Sequence, residues 1–211
     1  PTRRSSDLAG DNGTHSLNPS DPNSEKYYVD GNDVYVHVGG TAPTAEQIVQ
    51  IRDSANNIVP STGSNGYTID GWEDPDMSTD GTQNENLIIY YNDGSTSDSL
   101  NLTVHVIGAQ ATDLTHVVYG GNSTPDASAQ ISNAGTLSTY FGTPTYTWYK
   151  DAGATEAMTN ADFNTVTNAG ASDNAWIKVE WPDGSNQIVG LKLNLTSTPS
   201  DADNNTPGMV T

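Results

Sequence analysis

The chain contains 211 residues, of which 26 are acidic and 7 are Lys or Arg, so its formal net charge is −19. This charge argues against nucleic acid and anionic membranes as partners, because both are polyanions. The absence of cysteine excludes disulfides and thiolate metal sites, and no apolar run approaches the roughly 20 residues needed to cross a membrane.

The first 26 residues carry no sign of a packed fold. Pro1–Leu8 read PTRRSSDL, which matches one translated frame of a common sequencing-adaptor oligonucleotide. We therefore expect an artefact of sequence assembly, and the alternative is a genuine basic leader. Residues 9–25 are polar and rich in Pro and Gly, a composition typical of a disordered linker.

A first β-rich module is predicted over residues 27–107. Pro43 and Thr44 favour the start of a short helix, with Ile48 and Ile51 at helical spacing. An aromatic strand follows, and then a strand, a tight turn and a second strand. In the second run of this hairpin, apolar residues alternate with polar ones, which predicts one buried face and one solvated face.

The loop ahead of this hairpin offers oxygen ligands at the spacing of a twelve-residue calcium loop. Its sixth position is Thr79, where the sharp turn of such a loop needs glycine, and no flanking helices are predicted. A solvated connection between strands is the favoured interpretation, and a calcium site is the alternative. No other metal site and no cofactor is predicted. The candidate ligands are Asp74, Asp76, Ser78, Asp80, Thr82 and Glu85.

The pattern recurs over residues 113–196, so the chain is a tandem repeat. In both copies a Gly-Gly pair, a Pro-x-Ala step, an aromatic strand and a hairpin follow in the same order. Pro125, Asp126 and Ala127 predict a second short helix. Residues 150–175 form a long polar excursion, and such loops carry function in many β-sandwiches. Residues 197–211 resemble a linker and the opening of a further module.

Each hairpin turn contains an Asp-Gly pair, Asp93-Gly94 in the first copy and Asp183-Gly184 in the second. A tight turn that matches the twist of its strands needs positive φ. Glycine adopts positive φ without steric cost, and aspartate tolerates it better than most residues. We therefore predict a turn centred on these two pairs.

The second copy contains a dispersed motif made of Pro125, Ala127, Ile131, Asn133, Leu137, Tyr146, Trp148, Trp181, Pro182, Asp183, Gly184 and Ser185. In these residues it resembles the Rib/alpha-like repeat, particularly its long form, which builds stalks of cell-wall-anchored surface proteins in Gram-positive bacteria. The first copy keeps fewer of the motif residues and has Asn92 where the family has proline. The resemblance implies an all-β chain of two tandem immunoglobulin-like β-sandwich modules, to which the predicted helix starts add one short helix each.

The resemblance implies non-enzymatic spacer repeats of a cell-surface adhesin, located outside the cell at the cell wall and folded as a monomeric tandem array. Export rests on the resemblance, because no signal peptide or sorting motif is visible in the sequence. No nucleophile, phosphate-binding or dinucleotide motif appears, so no catalytic residue is predicted. Adaptation to high salt is an alternative explanation of the acidity.

Two other functions stay open. The modules are alternatively binders of a glycan or a host protein, through tyrosines expected at the surface: Tyr27, Tyr28, Tyr140 and Tyr149. An accessory domain of a secreted hydrolase is the third interpretation. Histidines show no pairing typical of a zinc site. The tryptophans are predicted to anchor the core rather than to stack on sugars; they are Trp72, Trp148, Trp176 and Trp181.

Overall fold

The computed structural model describes residues 26–95, 97–118, 123–165 and 168–197. The chain divides into two units, Pro1–Ile107 and Gly108–Thr211. The leader and the C-terminal segment identified in the sequence lie outside the described residues, except for Lys26 and Ser197. No helix in the described part of the chain is long and apolar enough to cross a membrane.

The described residues of the first unit form six strands and one short helix. In chain order these are β1 (Tyr27–Asp30), β2 (Val34–His37), α1 (Ala45–Ile48), β3 (Gln50–Asp53), β4 (Tyr67–Asp70), β5 (Gly81–Tyr91) and β6 (Asp98–Ile107). The large sheet has the order β2-β6-β5-β4, and β1 and β3 form a separate antiparallel pair. Two sheets packed on one core are the minimum that a β-sandwich requires.

The β5–β6 hairpin supplies most of the core of the first unit. Every second side chain is buried throughout β6 and from Glu85 onward in β5, and Leu87 lies opposite Leu100 in the register. Val29 of β1 and Ile51 of β3 pair with each other and belong to the same buried cluster. Each fully buried side chain of this kind stabilises the fold by about 1.5–3 kcal/mol. The alternation predicted for the return strand is therefore the structural basis of the core.

The second unit repeats the large sheet. Its elements are β7 (Leu114–Val118), a 3-10 helix (Ala127–Gln130), α2 (Ala134–Phe141), β8 (Thr145–Tyr149), α3 (Asn160–Asn164), β9 (Ser172–Glu180) and β10 (Asn186–Ser197). The sheet order is β7-β10-β9-β8, which is the order of the first unit with each strand replaced by its equivalent. The repeat inferred from the sequence is thus also a repeat of topology.

Helices and a single bridge cover the inner face of the second sheet. Ala111 and Ile131 form an isolated antiparallel bridge, in the place where the first unit has the β1–β3 pair. Leu137 of α2 and Phe163 of α3 are both fully buried. The Phe163 ring packs edge-on against Trp148, with 5.4 Å between the ring centroids. Aromatic packing therefore replaces part of the second layer in this unit.

The predicted all-β class is confirmed, because each of the two units is built mainly from strands and carries a short helix at the Pro-x-Ala step. Thr44 begins α1 and forms a capping box with Gln47. Asp126 begins the 3-10 helix by accepting a hydrogen bond from the amide of Ser128 at 2.9 Å. Both helix starts follow the sequence signals.

The extent of the first helix was wrong in the sequence-based interpretation. α1 ends at Ile48, and Ile51 is a fully buried residue of β3 instead of a helical one. The polar excursion also contains α3, which begins at Thr159 with a capping box to Asp162. The Thr-x-x-Asp spacing of that box was present in the sequence, and its low apolar content hid the helix.

The hairpin turns are built differently from the predicted Asp-Gly turns. The amide of Gly184 donates to the carbonyl of Trp181 at 2.9 Å, which places Pro182 and Asp183 at the centre of the turn. Gly94 and Gly184 have φ of 79° and 87°, and neither preceding aspartate has positive φ. In the second unit this is a three-residue hairpin loop, in which a turn of ordinary φ precedes one left-handed glycine.

Replacing Gly184 with valine should destabilise the second unit by about 1–3 kcal/mol, because a β-branched residue is strained at positive φ. No atom lies within 4 Å of the added Cβ, so the cost comes from the backbone alone. The matched control is Gly81→Val, which also meets open space but lies in β5 without positive φ. Chemical denaturation measures both. Equal effects of the two substitutions would contradict the assigned turn.

Candidate functional site

One edge of each large sheet is a short strand that runs parallel to the last strand of its unit. β2 pairs with β6 over four residues, and β7 pairs with β10 over five. The first strand of each large sheet is therefore hydrogen-bonded directly to the strand that ends the unit. We call these two pairs the terminal ladders.

An aspartate stands at the entrance of each terminal ladder. The Asp33 carboxylate accepts a hydrogen bond at 2.8 Å from the amide of Thr103 in β6, and Asp113 accepts one at 2.8 Å from the amide of Lys192 in β10. In both units the aspartate immediately precedes the short strand. Its carboxylate accepts a hydrogen bond from an amide of the neighbouring strand that lies just before the paired part of the ladder. The recurring Asp was visible in both copies, and sequence reasoning missed it.

A second contact reinforces the ladder in the first unit. The Tyr35 ring stacks on the His105 imidazole, with 4.6 Å between centroids and an interplanar angle of 8°. The His105 Nε2 lies 3.9 Å from the Asp33 carboxylate. These side chains occupy the outer face of the sheet, where they tie β2 to β6 independently of the backbone.

Tyr27 and Tyr28, expected at the surface as ligand contacts, are buried instead. Tyr27 is 4 % and Tyr28 is 3 % exposed. The Tyr27 ring stacks on Tyr91 at 4.2 Å, and its hydroxyl donates to Asp93 at 2.8 Å. Burial raises the pKa of the Tyr27 hydroxyl. In the sequence, the two tyrosines and Val29 are followed at once by the polar run Asp30–Asp33, which gives no sign of a core position. The pairing of β1 with β3 draws the tyrosines into the core.

Asp93, which accepts the hydrogen bond from Tyr27, also forms an ion pair with Lys26. The Lys26 ammonium forms a salt bridge with its carboxylate, and this charge, together with hydrogen bonds from Ser95, holds the pKa of Asp93 well below its ordinary range. A lowered carboxyl pKa stabilises the folded state above the ordinary value near 4, and this contribution is lost as the pH falls through the folded pKa. Asp93 therefore links the hairpin turn to the N-terminal end of β1.

Most carboxylates of the candidate calcium loop hold the loop itself. Asp76 accepts hydrogen bonds from the amide and hydroxyl of Ser78 at 2.8 and 2.6 Å and from Thr79. These bonds lower the pKa of the Asp76 carboxyl. Asp74 accepts a hydrogen bond from the indole of Trp72 at 3.1 Å. Such bonds are typical of an Asx turn in a solvated connection.

Glu85, the last candidate ligand, points into the protein. It is 2 % exposed and accepts hydrogen bonds from the amide of Glu73 at 3.1 Å and from the Gln83 side chain at 2.5 Å. A bidentate ligand at this position of a calcium loop must face the ion. Within the described ranges, no group of three His, Cys, Asp or Glu is placed to hold a metal ion.

The tryptophans have two different environments. Trp148 and Trp181 are buried, at 4 % and 2 % exposed, as predicted for core anchors. Trp148 also donates its indole N–H to the carbonyl of Pro125 at 2.8 Å. Trp176 differs from the prediction, because it is half-buried on the outer face of β9. Trp72 is half-buried and packs against the core of the first unit.

The remaining candidate side chains are dispersed. Tyr140 is 48 % exposed on α2, whereas Tyr149 is half-buried at the end of β8. His116 lies 2.9 Å from the amide oxygen of Asn164 and packs edge-on against Phe163. His37 is buried. The structure brings none of these side chains together with another of the group.

The Rib domain model matches residues 23–108. The predicted resemblance is therefore confirmed, although the match falls on the first unit, where the sequence motif is less complete. Rib domains are non-catalytic repeat domains of cell-surface proteins. The second unit is connected to this match by the shared strand order. No curated protein sequence matches the chain.

Two solved structures are similar at a low level. The Ig1-2 module of the Drosophila receptor protein tyrosine phosphatase DLAR is 13% identical, with a TM-score of 0.22; the match covers 82% of this chain and 100% of that one. Drosophila N-cadherin EC1-4 is 9% identical, with a TM-score of 0.21 and 78% of this chain covered. The match spans about half of the N-cadherin chain, at 48%.

Removing the carboxylate from either ladder should destabilise its own unit. Asp33→Ala leaves the Thr103 amide without its partner, and we expect a loss of about 0.5–1.5 kcal/mol in the free energy of unfolding. Asp113→Ala should have the same effect on the second unit. Asp33→Asn and Asp113→Asn are the controls, because the amide oxygen still accepts the bond. Hydrogen exchange of the Thr103 and Lys192 amides reports directly on their hydrogen bonds to the two aspartates. Unchanged protection of these amides in the Ala variants would contradict the assigned bonds.

Proposed function

We propose that the two units are non-enzymatic spacer modules in the stalk of a bacterial cell-surface adhesin, where they hold a distal binding region away from a Gram-positive cell wall. The observation that carries the proposal is the terminal ladder, which recurs in both units. It occurs in a chain whose residues 23–108 match a repeat domain of surface proteins. A stalk has to transmit tension through each module without opening it.

A parallel terminal ladder suits this task for a geometrical reason. Tension enters a module at its N-terminal end and leaves at its C-terminal end. In the first unit, β1 pairs with β3 and precedes β2, so the N-terminal load reaches the ladder after β1. Because the two strands of each ladder are parallel neighbours, a pull on β2 or β7 slides it along the last strand of its unit. The hydrogen bonds of the ladder lie across this direction, so they share the load and have to break together. An antiparallel hairpin pulled at its open end would instead lose them one at a time.

The side chains behind the ladder resist the same movement. Val104 and Val106 of β6 are buried in the main core cluster, and Val36 of β2 packs against it. Sliding β2 past β6 therefore removes apolar contacts as well as hydrogen bonds. In the second unit, Leu193 and Leu195 of β10 are buried opposite β7. Forced unfolding is governed by the rate of crossing this barrier.

The acidic side chains support a structural role over a catalytic one. Asp151 is a second example besides Asp93, because it accepts hydrogen bonds from the amides of Glu156, Thr155 and Gly153. These bonds hold the pKa of the Asp151 carboxyl below its ordinary range. Carboxylates that stay ionised while they cap turns are poor proton donors near neutral pH. The high negative charge also favours soluble, separate chains at a cell surface.

Single-molecule force spectroscopy on the full chain tests the proposal. We expect two unfolding events, each releasing about 25 nm of contour length at roughly 3.4 Å per residue. Val36→Pro should lower the force of one event and leave the other unchanged. The register and the bond from the Val38 amide to the Ile107 carbonyl direct the Val36 amide toward β6, and proline removes that donor.

The matched control is Tyr35→Pro, because alternation directs the Tyr35 amide away from β6. Tyr35→Ala measures separately the loss of the ring that stacks on His105. Val36→Pro should therefore lower the force more than Tyr35→Pro does, although both introduce the same ring into the same strand. Equal forces for both variants and the unsubstituted chain would show that the ladder does not bear the load. Unfolding at negligible force would contradict the spacer function itself.

A further inference from the structure

Trp176 lies on the outer face of the second sheet beside a glycine. Along β9 it alternates with the buried Ala175 and Ile177, and its partner across the ladder is Gly190 of β10. A methyl group on Gly190 would lie 3.2 Å from the indole nitrogen. The glycine thus leaves a shelf without a side chain next to one edge of the indole. Tyr149 of β8 pairs with Trp176 on the opposite side.

The indole separates two concave regions of this surface. One cleft of about 340 Å³ is lined by Trp176, Gly190, Asn174, Asp113 and Lys192. A second cleft of about 480 Å³ also contains Trp176 and Asn174, together with residues of the polar excursion such as Met158. An aromatic wall with amide, carboxylate and ammonium groups around it combines an apolar contact area with hydrogen-bond donors and acceptors.

The first unit shows that the fold does not require this arrangement. In the second unit, Gly190 lies two residues before Lys192, whose amide binds Asp113. In the first unit, Asn101 lies two residues before Thr103, whose amide binds Asp33. Asn101 is therefore the counterpart of Gly190. Asn101 pairs with Asn86, which is therefore the counterpart of Trp176. The same sheet accepts two asparagines at these positions. The outward-facing Trp176–Gly190 pair is specific to the second unit, and formation of the sheet does not explain it.

The charge around Trp176 restricts what the surface can bind. Lys26, Lys150 and Lys178 form ion pairs with carboxylates, whereas Lys192 has no such partner among the described residues. Asp113 lines the same cleft as Lys192, so both charges are present there. The chain as a whole carries a net charge of −19, which repels polyanionic ligands. A neutral ligand with many hydroxyl groups therefore suits the surface around Trp176 better than an acidic ligand does.

We propose that the face formed by Trp176, Gly190, Asn174, Asp113 and Lys192 binds a sugar ring of a neutral polysaccharide. The apolar C–H face of a pyranose packs on the indole, and the shelf at Gly190 admits the ring edge. The Asn174 amide donates to or accepts from hydroxyls at the rim, the Asp113 carboxylate accepts from them, and Lys192 donates to a further one. This function goes beyond that of a spacer, because the stalk itself would then hold a glycan.

Titration calorimetry on the full chain tests the site with neutral oligosaccharides of glucose, of galactose and of N-acetylglucosamine. Oligomers of galacturonic acid provide the acidic comparison. We expect saturable binding of at least one neutral series, and at least about tenfold weaker binding by Gly190→Asn and Trp176→Asn, which install the residues of the first unit. Asn86→Ala is the matched control in the first unit and should bind as the unsubstituted chain does.

Thermal melting of each variant separates loss of the site from loss of the fold. If Trp176→Asn unfolds the second unit, the Gly190→Asn variant is decisive, because it retains the indole, fills the shelf and requires only a small shift of the ring, whose nitrogen would lie 3.2 Å from the new Cβ. A shift of the Trp176 indole N–H resonance on titration would locate the ligand at this face. Absence of neutral-sugar binding at about 1 mM, binding of the acidic oligomers alone, or unchanged binding by Gly190→Asn would each overturn the proposal.

Discussion

The long antiparallel hairpin is the element on which each unit depends. β5–β6 and β9–β10 bury alternate side chains along their central parts, and the other parts of the unit either pair with the hairpin or cover its inner face. A two-stranded hairpin is at best marginally stable alone in water. β4 or β8 on one edge and β2 or β7 on the other complete a sheet wide enough to hold a core.

The turn fixes the register of that hairpin, and the register fixes the core. A shift of one residue would exchange the two faces and expose the entire apolar row. In the second unit the Trp181–Gly184 turn closes with hydrogen bonds at both ends, the second from the Trp181 amide to the Ser185 carbonyl at 2.9 Å. The left-handed glycine therefore matters for the whole unit, although its own surroundings are open.

Comparison of the two units separates the requirements of the fold from other requirements. Both keep the sheet order, the terminal ladder, the aspartate at its entrance and the helical turn after the Pro-x-Ala step. They differ in the second layer, which is a strand pair in one unit and a bridge with helices in the other. They also differ on the outer face, where packing does not restrict the side chains. Ligand-binding differences between copies can therefore arise there at little cost in stability.

The sequence by itself determined the features that depend on local patterning. Alternation defined the hairpin strands, Pro-x-Ala marked both helix starts, and the internal repeat indicated two modules. Tertiary structure decided what depends on partners distant in the chain. Tyr27 is buried because β1 pairs with β3, Glu85 turns inward because backbone and side-chain donors meet it there, and Trp176 faces outward because of its ladder register. The local sequence around these three residues does not predict their burial or exposure, because both are set by contacts with residues that are distant in the chain.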